Sequence, residues 1–335
     1  MSRFIYADHA GTTALSQTAL AAMTPYFTDH YGNPSSLYRF GQEAKADLER
    51  ARADIAACIG AKPEEIFFTS GGTEADNWAL KGVVELMALK GKTTGHIITS
   101  AIEHHALLHT AQHLEKQGYA VTYLPVDELG RVSPADVEAA VRPDTVLISI
   151  MAANNEIGTI QPVAEIGAVA RKHKILFHTD AVQAVGHIPV DVEVWNVDLL
   201  SLSAHKFQGP KGVGALYVRR PLRLPPLLHG GGQEKGRRSG TENVPGVIGM
   251  AAALKEAVAQ LEAEGARLSA LRDRLISGLT RLPYTRLTGD PENRLPGTAS
   301  FVFEGVEGEA LLLHLDDKGI CASSGSACSS ASLDP

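Results

Sequence analysis

A lysine, Lys206, follows an apolar run and precedes a glycine-proline turn in the stretch LSLSAHKFQGPKGVGAL, residues 200–216. A lysine at a strand end is normally a solvated charge, but the apolar residues on both sides favour a packed site. Burial lowers the pKa of a lysine, and a neutral amine can form a Schiff base with a carbonyl carbon. The position of Lys206 therefore suggests covalent chemistry at the end of a strand.

Acidic and glycine-rich segments follow two other strand-like runs. Asp180 closes the run ILFHTD, with Gln183 three residues later. A carboxylate buried at a strand end is costly unless it meets a cation, although Asp180 could instead cap the next turn. Gly72 and Thr73, within TSGGTEADNWAL, lie between a strand and a helix start. That geometry can receive a phosphate, although taken alone it is more simply a plain turn.

These three strand ends together match the needs of one cofactor. Pyridoxal phosphate (PLP) requires a phosphate cradle, a carboxylate on its pyridinium nitrogen and a lysine for its aldehyde carbon. Two further polar residues follow strands. His104 could stack on the ring and carry protons, or simply begin a helix. Asn155 could bond the ring oxygen or a substrate, or simply shape a turn. We therefore predict a PLP site built from strand ends.

Short apolar runs alternate with helix-period segments between about residues 40 and 220. This pattern predicts an α/β fold with a mostly parallel central sheet and helices on both faces, where ligands bind beyond the carboxyl ends of the strands. Ser133 and Pro134 have the types expected at the N-cap and first position of a helix. A long helical stretch over 246–282 and a smaller α+β part complete the prediction.

The composition is that of an ordinary globular protein, with 335 residues, 44% of them hydrophobic, and a net charge of −7. The negative charge gives no support for nucleic-acid binding, and no apolar run has the length of a membrane span. Three cysteines, Cys58, Cys321 and Cys328, and no secretory signal core favour a reducing cytoplasm. No C-x-x-C pair occurs, so a structural zinc site is not expected, and we predict no metal ligands.

Six motifs occur in the order found in a known family: TSGGTEADN, NNEIGTIQP, HTDAVQ, SAHKFQGPKGVGALYV, RSGTEN and SSGSACSSAS. They resemble the cysteine desulfurases of the NifS/IscS type, which are class-V aminotransferase-like enzymes with the PLP-dependent transferase fold type I. The resemblance begins at YADHAGTT and runs to the last residues. It implies conversion of L-cysteine to L-alanine, with transfer of the sulfur for iron–sulfur cluster assembly or tRNA thiolation.

The resemblance also implies a role for each matching position. Lys206 forms the Schiff base with PLP, Asp180 pairs with the pyridine nitrogen, and Gln183 contacts the ring hydroxyl. His104 stacks on the ring and Asn155 lines the substrate side. The phosphate contacts are Gly72, Thr73, Ser203 and His205, joined by Thr241, which reaches the phosphate of the partner subunit. The family pattern thus implies a homodimer with shared active sites.

Cys328, in SSGSACSS, is implied to be the nucleophile that receives the substrate sulfur as a persulfide. Small residues on both sides suit a mobile arm that passes sulfur to an acceptor protein such as an iron–sulfur scaffold, and Cys328 could contact a cluster transiently. The alternative is an inert small residue in a flexible tail. Cys58 and Cys321 are interpreted as a helix cysteine and a strand-end cysteine.

The chain is predicted to divide into an N-terminal arm with part of a small domain (1–15), a large PLP-binding α/β domain (16–245) and a small α+β domain (246–335). The sequence ends seven residues after Cys328. Family members continue into a segment with the arginine that binds the substrate carboxylate, so part of the small domain is expected to be absent. Two alternative functions remain open. One is a selenocysteine or cystine lyase, and the other is a PLP-binding assembly partner without turnover.

Overall fold

The computed structural model describes residues 4–325. Its strands are β1 (Ile5–Tyr6), β2 (Ile66–Thr69), β3 (His96–Ser100), β4 (Ala120–Leu124), β5 (Thr145–Ser149), β6 (Leu176–Asp180), β7 (Leu199–Ser203), β8 (Gly214–Val218), β9 (Thr285–Leu287), β10 (Phe301–Phe303) and β11 (Ile320–Cys321). Its helices are α1 (Gln17–Met23), α2 (Pro25–Thr28), α3 (Arg39–Cys58), α4 (Gly72–Leu89), α5 (His105–Lys116), α6 (Pro134–Ala139), α7 (Val163–His173), α8 (Gln233–Gly236), α9 (Val244–Ala259), α10 (Leu261–Leu279) and α11 (Gly308–Asp317).

A seven-stranded sheet in the order β2-β8-β7-β6-β5-β3-β4 forms the centre of the molecule. Strands β4, β3, β5, β6 and β7 pair in parallel, which confirms the predicted mostly parallel sheet. Strand β8 is antiparallel to both of its neighbours, β2 and β7. Because β8 reverses direction between them, β2 runs the same way as β7, and the carboxyl ends of both strands lie at one edge of the sheet.

Both faces of this sheet are covered, because neighbouring residues of one strand pack into two different hydrophobic cores. Leu147 packs in the core on one face and Ile148 in the core on the other, and Leu199 and Leu200 divide in the same way. Successive side chains of a strand point to opposite faces, so a strand buried on both sides must be apolar throughout. This explains the continuous apolar runs in the sequence.

Helix starts follow the chemistry of their capping residues. The Ser133 hydroxyl accepts a hydrogen bond from the N–H of Asp136, and Pro134 is the first residue of α6, as predicted. The helical stretch predicted over 246–282 is two helices, α9 and α10, which meet at Gln260 with a bend of 72°. Helix α9 carries buried residues into the main core and packs against α1 and α3. Helix α10 is only partly buried, so the two helices separate where the core ends.

Two small sheets lie outside the central one. Strands β9 and β10 pair antiparallel, whereas β1 pairs in parallel with β11 and so joins the two ends of the described chain. The domain boundaries at residues 15 and 245 stay a prediction. Within residues 4–325 no single helix is long and apolar enough to cross a membrane; the bent pair α9 and α10 reaches that length and composition only when taken together.

Candidate active site

One cavity lies at the carboxyl-end edge of the central sheet. Nine of the residues predicted for the site line it, namely Gly72, Thr73, His104, Asn155, Asp180, Gln183, Ser203, His205 and Lys206. They follow five different strands, β2, β3, β5, β6 and β7. Parallel strands that end at one edge bring such residues together even though they are far apart in sequence. The sequence therefore predicted the location of the cavity, and the role of each residue stays a prediction.

Lys206 follows β7 in a short 3₁₀ turn, Ala204–Lys206, and its side chain points into the cavity. Its Nζ donates to the carbonyl oxygen of Gly11, at 2.9 Å, and to that of Ala10. Its own carbonyl oxygen lies 2.9 Å from Nε2 of the partly buried His187. The amine is thus held at the cavity wall by backbone oxygens of the N-terminal segment, nearly 200 residues away in the chain.

Asp180 ends β6 and is only 6% exposed. Burial raises the pKa of its carboxyl, while His104, the backbone N–H of Val182 and Lys206 act against that rise. The N–H of Val182 donates to its Oδ1 at 2.9 Å. Asp180 therefore caps the turn that follows it and also faces the cavity, and its pairing with a ring nitrogen stays a prediction. The nearby Gln183 donates from Nε2 to the carbonyl oxygen of Ala10 at 3.0 Å.

His104 and Asn155 come from the segments after β3 and β5. His104 is the N-cap of α5, where its Nδ1 accepts from the N–H of Ala106 at 3.2 Å, so the imidazole begins a helix and lines the cavity as well. Burial lowers the pKa of His104, with Asp180 acting in the opposite direction. The turn after β5 is shaped by Asn154, whose Oδ1 accepts two backbone N–H groups. Asn155 is thereby left to face the cavity.

The start of α4 forms the end of the cavity proposed for a phosphate. Gly71 has a φ of +150°, which favours glycine, and a Cβ on Gly72 would lie 2.7 Å from Cγ2 of Val182. The backbone there is therefore close to its neighbours, and the first N–H groups of α4 face the cavity without a capping side chain. Ser203 and His205 approach from β7. Burial, followed by Lys206 and Lys211, lowers the pKa of His205 to about 4, so its ring is neutral.

Two predicted residues are not in this cavity. Thr241 is exposed and lies outside the cavity lining within one protomer. Cys328 lies outside the described residues. The chain just before it does reach the cavity, because Ser323 and Gly325 are part of the lining, and the Ser323 hydroxyl donates to Oδ1 of Asp8 at 2.7 Å. Cys58 ends α3 and Cys321 ends β11, and both are free thiols, as interpreted from the sequence.

Sequence reasoning missed two groups of cavity residues. The carbonyls of Ala10 and Gly11 around Lys206 are backbone groups, which carry no signal in residue type. Asp76 also lines the cavity and is 1% exposed. One signal could have revealed it: Asp76 follows Gly72 by four residues, so on a helix it shares the face that meets the cavity. Near it, Glu103 is buried beneath the site.

The oxygens of Asp76 and Asp180 and a ring nitrogen of His104 all lie within 4.8 Å of one another. By distance alone, this spacing could hold a cation. Lys206 and the start of α4 line the same cavity. Their chemistry suits an anionic ligand that can react with an amine.

Comparison with known proteins identifies the family. The model of the class-V aminotransferase family matches residues 5–335. The chain belongs to the class-V aminotransferase family. It is 55% identical over 334 residues to a cysteine desulfurase IscS of Methanosarcina thermophila, covering 100% of this chain and 82% of that protein. It is 52% identical over 338 residues to a cysteine desulfurase IscS of Clostridium botulinum, covering 100% of this chain and 84% of the relative.

Solved structures of this family give the same fold. A NifS-like protein aligns with a TM-score of 0.93 at 44% identity, over 96% of this chain and 88% of that one. The protein SspA, in a complex with cysteine, aligns with a TM-score of 0.86 at 38% identity, over 99% of this chain and 92% of that one. These likenesses confirm the predicted α/β fold and, independently, the resemblance to the NifS/IscS type.

Proposed function

We propose that the chain is a PLP-dependent cysteine desulfurase, which converts L-cysteine to L-alanine and passes the sulfur on as a persulfide. The observation that carries this proposal is the single cavity in which a lysine amine, a buried carboxyl and an uncapped helix start meet. The relatives named as cysteine desulfurases, aligned over the whole chain, support it. The structure of SspA with cysteine supports a cysteine substrate.

The residues of the cavity fit PLP. A phosphate needs several donors and close backbone approach, which the start of α4 offers because no side chain stands at Gly71 or Gly72. A protonated ring nitrogen needs a carboxylate out of water, and Asp180 is one. The aldehyde carbon needs an amine held in place, and Lys206 is held by two carbonyl oxygens.

Each residue then has a task that its surroundings allow. Gly72, Thr73, Ser203 and His205 would hold the phosphate, and the neutral His205 can donate one hydrogen bond without adding charge. Gln183 would contact the ring hydroxyl, His104 would cover the ring face, and Asn155 would line the substrate side. When bound, PLP draws electrons from the substrate Cα and so makes the Cβ–S bond of cysteine breakable. Lys206 would be placed to act as a base that moves protons at the substrate Cα.

Cys328 would take the sulfur. Its thiolate attacks the substrate sulfur, an S–S bond forms, and the electron pair of the broken C–S bond stays on carbon, which is protonated to give alanine. Cys328 is the third residue after Gly325, which lines the cavity, and three residues span at most about 10 Å. This length of chain is compatible with sulfur transfer from a substrate in the cavity to Cys328, and from there to an acceptor protein.

Two variants test this function. Lys206→Ala should lose the visible absorbance band that PLP gives in the purified wild-type protein. Cys328→Ser should keep the band but release no sulfide or alanine from L-cysteine. Cys58→Ser is the matched control, because it removes a thiol at the end of α3, and it should keep both the band and turnover. A Cys328→Ser protein that still desulfurates L-cysteine would contradict the assignment.

The same assay separates the alternatives. Turnover of selenocysteine without turnover of L-cysteine would show the lyase, and a stable PLP band without turnover of either would show a non-catalytic assembly partner. We also propose a homodimer with shared sites and a sulfur acceptor such as an iron–sulfur scaffold, since the relatives are of the IscS type. A cytoplasmic location is proposed from the sparse cysteines.

A further inference from the structure

Asp76 is a second buried carboxyl in the candidate site, and the roles above leave it without a task. It lies on the second turn of α4 and lines the cavity, with 1% of its surface exposed. Among the described residues its Oδ1 has no hydrogen-bond partner. One of its oxygens lies within 4.8 Å of an oxygen of Asp180.

Two carboxyl groups this close and this buried do not both ionise, because each negative charge raises the cost of the other. Burial and the proximity of Asp180 both raise the pKa of Asp76 well above its ordinary value. The pair therefore keeps one proton in the neutral range, and its neighbours decide which carboxyl holds that proton.

The surroundings favour ionisation of Asp180. It accepts the N–H of Val182 at 2.9 Å, and Lys206 and His104 lower its pKa. The surroundings of Asp76 oppose ionisation. Only the Ser201 hydroxyl favours its charged form, and Glu103 lies near enough to raise its pKa further.

Three other titratable groups lie near Asp76, namely His104, His178 and Glu103. A ring nitrogen of His104 lies within 4.8 Å of an oxygen of Asp76, and burial lowers the pKa of His104, which favours its neutral form. Nε2 of His178, on β6, lies 3.7 Å from Oδ1 of Asp76. Both ring nitrogens of His178 are already engaged, by the hydroxyls of Ser149 and Ser201, and burial lowers its pKa to about 3. Glu103, after β3, accepts the Ser100 hydroxyl at 2.6 Å and the Met151 N–H at 3.0 Å. Lys206 lines the same cavity and lowers the pKa of Asp180.

We propose that Asp76 is a positioning residue that holds a proton at neutral pH, so that the pair of carboxyls presents a single negative charge, on Asp180, to the ring nitrogen of the cofactor. This inference rests on the proposed function for the identity of the ligand. The proton on Asp76 itself follows from the protein's own residues. Without that proton, two charges would face one ring nitrogen.

The test is infrared spectroscopy of the holoenzyme at neutral pH, with aspartate isotope-labelled at the side-chain carboxyl. The label separates aspartic acid from the buried Glu103. We expect a labelled carbonyl stretch of a protonated carboxylic acid in the wild type and in Asp180→Asn, and its loss in Asp76→Asn.

A second experiment is a titration of the cofactor-free proteins with PLP. Asp180→Asn should raise the Kd for PLP about tenfold or more, which is about 1.4 kcal/mol. The factor by which Asp76→Asn raises the Kd for PLP should be several times smaller than the factor for Asp180→Asn.

Absence of the labelled acid band in the wild type would overturn the proposal, and so would its survival in Asp76→Asn. Equal losses of PLP affinity in the two variants would overturn it as well. Asp76→Leu, which has a similar branched shape but no hydrogen-bonding oxygen, should bind PLP less well than Asp76→Asn. If Asp76→Asn fails to fold, the proposal is still tested by the labelled acid band, which must be present in both the wild type and Asp180→Asn. The infrared band is also measurable without PLP, so failure of cofactor binding would refute the proposed function separately.

Discussion

Glu103 shows how strongly single residues under the cavity are affected by burial. Its carboxyl is 4% exposed, and burial raises its pKa to about 8 against an ordinary value of 4.5, despite hydrogen bonds from Ser100 and Met151. The folded protein therefore keeps a proton that the unfolded chain releases. The contribution of Glu103 to stability is fully present below pH 4.5, falls as the pH rises toward 8, and is lost above that.

We predict that Glu103→Gln weakens this dependence. The glutamine oxygen can still accept the Ser100 and Met151 hydrogen bonds, but the side chain no longer titrates. Between pH 4.5 and 8 the wild type should lose up to about 1.4 kcal/mol per pH unit relative to the variant. Urea unfolding at both ends of this range measures the difference. Glu128→Gln, at an exposed position, is the matched substitution control, and a parallel pH dependence in wild type and Glu103→Gln would refute the prediction.

At the residue scale, the site residues that the sequence could predict are those at the ends of strands. Lys206, Asp180 and His104 could be selected because each polar residue interrupts or follows an apolar run. Asp76 gave no such signal, since polar residues are ordinary on a helix and only the packing of α4 reveals which face is buried. The carbonyls that hold Lys206 were beyond prediction, because long-range backbone contacts depend on the path of the whole chain.

At the scale of elements, a buried ion pair connects α3 to α8. Arg52 donates from Nη2 to Oε1 of Glu234 at 2.6 Å and from Nη1 to Oε2 at 2.7 Å, and both side chains are 3% exposed. The Phe68 N–H also donates to Glu234, and the Arg52 guanidinium lies 4.3 Å from the Phe68 ring centre. Glu234 thus anchors the glycine-rich loop that continues to Thr241.

We predict that Glu234→Ala destabilises the fold by about 3–5 kcal/mol, because the buried Arg52 guanidinium loses the carboxylate that both of its Nη atoms contact and keeps only the exposed Glu49 as an acidic partner among the described residues. Urea unfolding measures this change. Glu43→Ala, which breaks the exposed pair with Arg39 on the same helix, should cost far less. Similar losses in the free energy of unfolding in the two variants would contradict the prediction that the buried pair stabilises the fold more than the exposed pair does.

Whether a segment forms a helix or a strand was more predictable than how the helices and strands pack and pair. The apolar runs and the Ser133–Pro134 start of α6 were readable because they depend on local chemistry. The break between α9 and α10 at Gln260 was not, since no glycine or proline marks it and the helices part where the core ends. The antiparallel β8 was also missed, because a strand's direction depends on its pairing and not on its residues.

At the scale of the whole molecule, the homodimer prediction has a direct test. Thr241 is exposed in one protomer and is proposed to serve the partner's phosphate site. A dimer that combines a Lys206→Ala subunit with a Thr241→Ala subunit would then contain one site with both changes and one site with neither. We predict that mixing the two proteins restores desulfurase activity above the sum of the parents. Additive activities in verified mixed dimers would mean that each protomer supplies its own Thr241.

The pairing of β1 with β11 has a consequence for biosynthesis. Ile5 and Tyr6 are made among the first residues, but their partners Ile320 and Cys321 are made more than 300 residues later. During translation the first strand therefore waits, unpaired, until the ribosome has nearly finished the described chain. The contact between Asp8 and Ser323 closes only then, so the part of the pocket wall that Ser323 forms is a late product of synthesis.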